Sequence, residues 1–381
     1  MRRIRDPIHG FIPLRPVEAA LVETPAFQRL RRVQQLGLTH YVYPGAEHSR
    51  FVHALGVCHV AGQLCDSLAR DGEPVLHADE VRIAALLHDL GHPPYSHAGE
   101  RGVRHELRTL RLIREGEVAD VLTRHGHDPH AIAALVEGTG DPVGSAIVSG
   151  ELDADRMDYL LRDSRMCGVR YGEFDIARVV ESATVVEVDG RRRLGVRGSG
   201  LHAAEGLILA RYSMFHQVYF HRTRRILDLF LEEALPELPD DDAGWLRWDD
   251  GRVFCMLQDD PREVAQAIVH RRLPACVVEM EVLDSESAAE ADHLSALLKA
   301  AVPGRVWVDS TARMRAFRPE GDIPVVQGDR VRSVFSASPV LRAMDPHVEH
   351  RRVYVDRPVA PLAAALVSGF RQSGTQLRLF R

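Results

Sequence analysis

The chain has 381 residues, 45% apolar and 27% charged, the balance of an ordinary globular protein with room for one large domain or a domain with an appendage. A formal net charge of −6 argues against a protein built mainly to coat nucleic acid, although local patches could still take phosphate. No run of about 20 apolar residues is present to span a membrane, and the first residues lack the apolar core of a signal peptide. Cys58, Cys65, Cys167, Cys255 and Cys276 stand apart without CxxC pairs, which predicts free thiols in a reduced, cytoplasmic protein. Lys299 is the single lysine, so the positive charge is almost entirely guanidinium and suits bidentate phosphate contacts.

Phe51, Leu55, Cys58, Gly62 and Cys65 recur at helical spacing until Asp71 and Gly72 break the pattern. A second helix is predicted over 80–88, with Asp79 as its N-cap and with Gly91 and Pro93 ending it. Further helices are predicted near 106–114, 130–136, 154–163 and 201–234, with a β-hairpin at 183–196 between the last two. The proline- and aspartate-rich stretch 236–243 reads as a break dividing 1–235 from 236–381. Beyond it, strands at 276–280, 306–308 and 352–355 surround a helix at 262–270. The expected fold class is mainly α, a helical core with a small hairpin and a smaller α+β C-terminal region.

The chemistry concentrates around His88 and Asp89, which close the apolar run 81–87. A neutral imidazole and a carboxylate are good ligands for a divalent first-row metal. Neighbouring side chains on a helix diverge by about 100°, so the two can share an ion lying between them but cannot enclose it. Partners stand at both flanks: His53 upstream, and Asp153, Asp155 or Asp158 downstream. Two imidazoles and two carboxylates leave room for water or phosphate and suit iron, manganese, zinc or nickel. Asp155, Tyr159 and Arg162 share one helical stripe, and Arg156, Tyr159 and Asp163 share the adjoining one. Arg162 and Arg165 read as part of a solvated face. Arg211, Phe215, Tyr219 and Arg222 repeat at helical spacing and read as an amphipathic core helix.

Taken together, His53, His88-Asp89 and Asp155 resemble the H…HD…D metal signature of the HD-domain phosphohydrolase superfamily. Asp6-Pro7-Ile8-His9-Gly10, Gln35-Leu36-Gly37, Tyr43-Pro44-Gly45-Ala46 and Asp155-Arg156-x-Asp158-Tyr159 look like successive blocks of the SAM-and-HD-domain-type deoxynucleoside triphosphate triphosphohydrolases, over about 6–228. The resemblance implies an HD helical core and hydrolysis of dNTPs to deoxynucleoside and inorganic triphosphate. It implies one divalent transition metal on His53, His88, Asp89 and Asp155, with Mg accompanying the triphosphate. It makes His92, His97 and His105 the catalytic histidines, with Glu100 where an aspartate partner is expected. Arg50, Arg156 and Arg211 become phosphate contacts, and Gln35, Leu36, Tyr159, Asp163 and Tyr219 become sugar or substrate contacts. Glu23, Gln28 and Arg31 resemble guanine-recognising allosteric residues, with His221 and Arg222 at basic positions nearby, so GTP or dGTP is an expected activator. A homo-oligomer, dimer or tetramer, is expected from the same resemblance. Two other readings compete: an HD phosphodiesterase or 5′-nucleotidase, and a non-catalytic nucleotide-sensing or nucleic-acid-binding oligomer.

Overall fold

The helix Arg50–Arg70 is buried along most of its length and forms the axis of the N-terminal core. The protein is described by a computed structural model that covers residues 2–100, 104–311, 314–315, 323–344 and 347–379. Two glycines let neighbours approach the axial helix closely. A Cβ on Gly56 would lie 1.8 Å from Asp158 Oδ1, and one on Gly62 would lie 2.0 Å from Arg82 Nη1. The helices Ala78–Leu87 and Ala154–Cys167 pack directly against the axis; His88 and Asp89 follow the first, and Asp155 lies in the first turn of the second. Phe51, Leu55, Ile83, Leu86, Leu87, Met157 and Leu160 meet there in one apolar cluster.

An N-terminal hairpin, Arg2–Asp6 paired with Gly10–Leu14, closes over this core. Its turn is set by Asp6, whose carboxylate accepts from Ile8 N at 2.8 Å and His9 N at 2.9 Å. The helices His105–Arg114, Gly116–Arg124, Pro129–Glu137 and Pro142–Ser149 complete the bundle. The expected hairpin is present as Ala183–Val188 and Arg191–Arg197, and it extends into a four-stranded sheet. Pro324–Gln327 adds in parallel to Arg191–Arg197, and Arg330–Ser333 pairs antiparallel with Pro324–Gln327.

A second cluster joins Leu227, Phe230 and Leu231 of the helix Arg222–Ala234 to Val253, Leu257, Val264 and Ile268. Leu38 and Tyr95, from the N-terminal bundle, enter the same cluster. Further along, His350–Val355 lies between Ala275–Glu281 and Val306–Ser310, antiparallel to both. The helices Ser285–Ala301 and Ala360–Leu379 pack against that sheet, so the fold is mainly α with a smaller α+β region. All five cysteines are free. Among the described residues, no helix is long and apolar enough to cross a membrane.

Two expectations need correction. Asp79 is not an N-cap: His77, at φ 55°, turns the chain into a helix that begins at Ala78, and Asp79 lies in its first turn as a partner of Arg15. The helix expected over 201–234 is interrupted. Leu201–Met214 widens into a π-helical turn at Phe215–Tyr219, and the chain leaves helical geometry at Phe220 and His221 before Arg222–Ala234 begins. The extra residue in that turn changes which way its side chains face. Tyr219 there donates its hydroxyl to Asp163 Oδ2 at 2.8 Å.

Candidate functional site

His53 and His88 come from different helices and meet with ring centroids 5.4 Å apart. The Nδ1 of His53 lies 2.8 Å from Asp158 Oδ2, and the Nδ1 of His88 lies 2.8 Å from the carbonyl of Ala85. Neither a carboxylate nor a carbonyl can donate, so both rings carry their proton on Nδ1. In the neutral rings each Nε2 is then a lone pair open to a cation, whether a proton or a metal ion. Both Nε2 atoms are buried and have no hydrogen-bond partner. What they face is carboxylate: His53 Nε2 is 3.0 Å from Asp155 Oδ1 and 3.6 Å from Asp89 Oδ2, and His88 Nε2 is 3.3 Å from Asp89 Oδ1 and 3.5 Å from Asp155 Oδ1.

Lone pairs pointing at carboxylates repel unless a cation lies between them. Burial opposes charge on His53, yet Asp155 and Asp158 outweigh it and push the ring up to about 10, so the pocket favours a positive charge. The donor set fits a divalent transition metal, with His53, His88 and Asp89 close enough to share one ion and Asp155 beside both imidazoles.

The three aspartates that compete for the fourth position have separate tasks. Asp153 caps its helix, accepting from Arg156 N at 2.7 Å and Arg156 Nη1 at 2.8 Å. Asp155 faces the histidines. Asp158 orients His53 and is itself held by Arg162 at 2.8 Å from both of its oxygens and by His9 Nε2 at 2.7 Å. Arg162 is therefore not on a solvated face. It is buried between Asp158 and Asp6, whereas Arg165 is exposed. Through Asp6 and His9 the N-terminal hairpin is locked onto the metal-site helix.

Arg50 sits inside the site rather than at its mouth. Its Nε donates to Ser96 Oγ at 2.8 Å and its Nη1 pairs with Asp89. Burial resists ionisation of Asp89, but Arg50, followed by His88 and His92, holds its carboxyl well below the usual range. Ser96 and Tyr95 both have φ of 58°, strained for residues with side chains. That loop is pinned from two directions: Ser96 Oγ donates to Gln34 O at 2.6 Å, and Tyr95 N donates to Asp250 Oδ1 at 2.7 Å. Asp250 also accepts from Gln34 N at 2.8 Å.

The expected catalytic histidines form a second cluster directly beyond Asp89. His92 Nε2 is 3.2 Å from Asp89 Oδ1, and its ring stacks on His105 at 3.8 Å. Burial, with Arg50 next, keeps His92 well below the ordinary histidine range and therefore neutral. Glu100 is paired with His105 Nδ1 and lies 3.5 Å from His97 Nδ1. His97 is the exposed member of the group.

The expected substrate residues lie along one wall. Glu151 is 3.4 Å from Arg156 and 3.7 Å from Arg211, and the buried Nε of Arg211 has no partner. Tyr159 and Tyr219 meet edge to face at 6.2 Å. Asp163 accepts from Tyr219 and lies 2.7 Å from His48 Nε2, while the carbonyl of His48 accepts from Gln35 N at 2.9 Å. Leu36 is buried beside them, and the side-chain Oε1 of Gln35 has no partner. His9 lies in the Asp6–Gly10 block, whereas His48, Ser96, Glu151 and Asp250 have no distinguishing spacing in the sequence.

Of the expected allosteric residues only Gln28 and Arg31 are joined among the described contacts. Glu23 pairs with Arg2, while Arg31 donates to Gln28 Oε1 at 2.8 Å and lies 3.5 Å over the Phe51 ring. His221 caps the next helix through Thr223 N at 3.1 Å, and Arg222 reaches Glu279 at 3.2 Å. No hydrogen bond or ion pair among the described residues joins these two groups.

A helical bundle that gathers H…HD…D side chains around one buried, cation-favouring pocket defines an HD-type metal centre. The HD domain profile matches residues 50–163, and the HD associated region matches 174–355. The crystal structure of a hypothetical protein from Aquifex aeolicus superposes with a TM-score of 0.85 at 32% identity, covering 96% of this chain and 99% of that one. The uncharacterized protein YwfO of Bacillus subtilis is 38% identical over 61% of this chain and 54% of its own. The deoxynucleoside triphosphate triphosphohydrolase SAMHD1 of Homo sapiens is 32% identical over 63% of this chain and 45% of its own. The chain spans about half the length of the curated relatives it matches. It belongs to the HD-domain phosphohydrolase superfamily.

Proposed function

We propose that this protein hydrolyses deoxynucleoside triphosphates to deoxynucleoside and inorganic triphosphate. The observation that carries the reading is the Arg211 Nε, buried without a partner, on a guanidinium that shares Glu151 with Arg156, whose helix also carries Asp155. A single phosphate could be neutralised by the metal and Arg50 alone. Two further guanidiniums along the same wall suit a longer polyanion. The likeness to a protein named as a deoxynucleoside triphosphate triphosphohydrolase supports the same substrate class.

In this reading His53, His88, Asp89 and Asp155 hold a divalent metal, which when bound polarises a phosphoryl oxygen and lowers the pKa of water. Arg50 fixes Asp89, and Asp158 fixes His53, so neither ligand has to reorganise as charge develops. Water adds to the α-phosphorus, the bond from that phosphorus to the sugar O5′ breaks, and O5′ takes a proton. Glu100 engages His105 through Nδ1, leaving Nε2 as the ring atom that holds or passes a proton, and His97 stands beside the same carboxylate. Arg156 and Arg211 stabilise the departing triphosphate. Leu36, Gln35 and the Tyr219–Asp163 pair form the sugar wall, where close packing at C2′ would exclude a ribose hydroxyl. Activation by guanine nucleotide rests on the sequence resemblance at Glu23, Gln28 and Arg31, and assembly into a homo-oligomer on the family resemblance as a whole.

Product analysis with metal-loaded protein and dATP tests the reading. Equal amounts of deoxyadenosine and triphosphate are expected. Turnover of dAMP or cyclic nucleotides instead would favour a nucleotidase or phosphodiesterase, and no turnover of any of them would favour a binding protein.

A further inference from the structure

Away from the metal site, the C-terminal region contains a cleft of about 380 Å³ that shares no lining residue with the centre described above. Its apolar wall is Trp307 and Phe230, whose rings meet edge to face at 5.5 Å. Arg271, Arg272, Arg305 and Arg357 also line it, against Glu263 and Asp356. A net excess of guanidinium is notable in a chain whose overall charge is −6.

The arginines are not consumed by the fold. Arg305 and Glu263 form a highly exposed pair at 3.5 Å, which water largely screens. Arg357 uses Nε on the carbonyl of Leu273 at 2.9 Å, and Arg271 uses Nε on the carbonyl of Tyr41 at 3.2 Å. For Arg271, Arg272 and Arg357, no terminal guanidinium nitrogen has a protein partner among the described residues. Arg271 also has φ of 53°, just past the helix Glu263–Val269, where glycine is the usual residue. A strained arginine at a position made for glycine places a guanidinium on the cleft rim at a cost to the backbone.

We propose that this cleft binds an anion carrying a planar ring, of nucleoside-phosphate size. An aromatic wall supplies a face for a base, and the arginine rim supplies bidentate donors for phosphate. The volume lies at the small end of the roughly 300–1,000 Å³ typical of small-molecule sites, which suits one nucleotide rather than a polymer.

Trp245 and Trp248 are buried, so Trp307 is the tryptophan a ligand can reach. Titration of the full chain with AMP and GMP, read by tryptophan fluorescence, tests the site. Saturable quenching is expected, with affinity about tenfold weaker for adenosine and for inorganic phosphate. Arg272→Glu, at an exposed position, should melt like the parent and lose at least about tenfold in AMP affinity, and Trp307→Phe should remove the signal. Absence of saturation up to about 10 mM AMP would overturn the proposal, as would AMP quenching unchanged in Arg272→Glu. Inorganic phosphate binding as well as AMP would remove the role of the ring. A short oligonucleotide binding far more tightly than AMP would replace the mononucleotide with a polymer.

Discussion

The Nδ1 of His53 donates to Asp158 Oδ2 at 2.8 Å, and this bond decides which nitrogen of His53 can bind a metal. A carboxylate that fixes the tautomer and angle of a ligating histidine also raises its basicity. Asp158 would thus act on a metal held by His53 through the ring, without ligating.

Replacing Asp158 with Asn should lower affinity for Mn²⁺ by about 10–100-fold, because the amide cannot hold the histidine in the same way. Loss of a buried partner of Arg162 should also destabilise the fold by about 3–5 kcal/mol. Elemental analysis after dialysis against graded Mn²⁺ reads the first effect and thermal melting the second. Parental Mn²⁺ affinity would show that Asp158 does not orient the ligand.

Gly56→Ala offers a test of opposite sign to the usual rule. Alanine in a helix interior normally stabilises by about 0.5–1 kcal/mol. Here the new Cβ would fall 1.8 Å from Asp158 Oδ1 and 2.5 Å from Arg162 Nη2. We expect a net loss of about 1–3 kcal/mol with weakened metal binding. A raised melting temperature would contradict the packing described here.

Arg211→Ala and Arg156→Ala should each retain metal but lose roughly 2–4 kcal/mol of transition-state stabilisation in kcat/KM for a dNTP. Steady-state kinetics together with metal content separates this from a structural role. Unchanged kinetics would return both residues to an ordinary ion-pair network around Glu151.

Asp250 should leave a signature in the pH dependence of stability. Burial raises its carboxyl to about 7, against the pull of the Gln34 and Tyr95 amides and Arg29, while the unfolded value is that of an ordinary aspartate near 3.8. Between those values the folded state keeps a proton that the unfolded state has lost. The contribution is therefore complete below about 4, declines as pH rises towards about 7 and is flat above. At about 1.4 kcal/mol per pKa unit the full span is up to about 4 kcal/mol. The difference between parent and Asp250→Asn in melting curves from pH 4 to 8 should show that decline. A pH-independent difference would mean that Asp250 is ionised throughout.

The convergence of His53, His88, Asp89 and Asp155 was legible because His88-Asp89 ends an unbroken apolar run and the flanking blocks carry a specific resemblance. Asp155 and Asp158 could not be separated by spacing, because residues three apart share a helix face and only the position of His53 tells them apart. Arg162 was misread as solvated because its partner Asp6 is 156 positions away. The role of Asp250 was hidden for the same reason, since it reaches Tyr95 across 155 positions. Periodicity carried the helix over 201–234 straight through Phe215–Tyr219, since apolar residues recur on both sides of the wider turn and no glycine or proline marks it. Local order was visible. Long-range polar pairing was not.

The most direct test of hydrolysis at the α-phosphorus is turnover of dATP in ¹⁸O-labelled water, with mass analysis of the products. The account predicts one ¹⁸O in the released triphosphate, none in deoxyadenosine, and loss of the reaction in Asp89→Ala. Label in orthophosphate or dAMP, or persistence of the activity in Asp89→Ala, would contradict it.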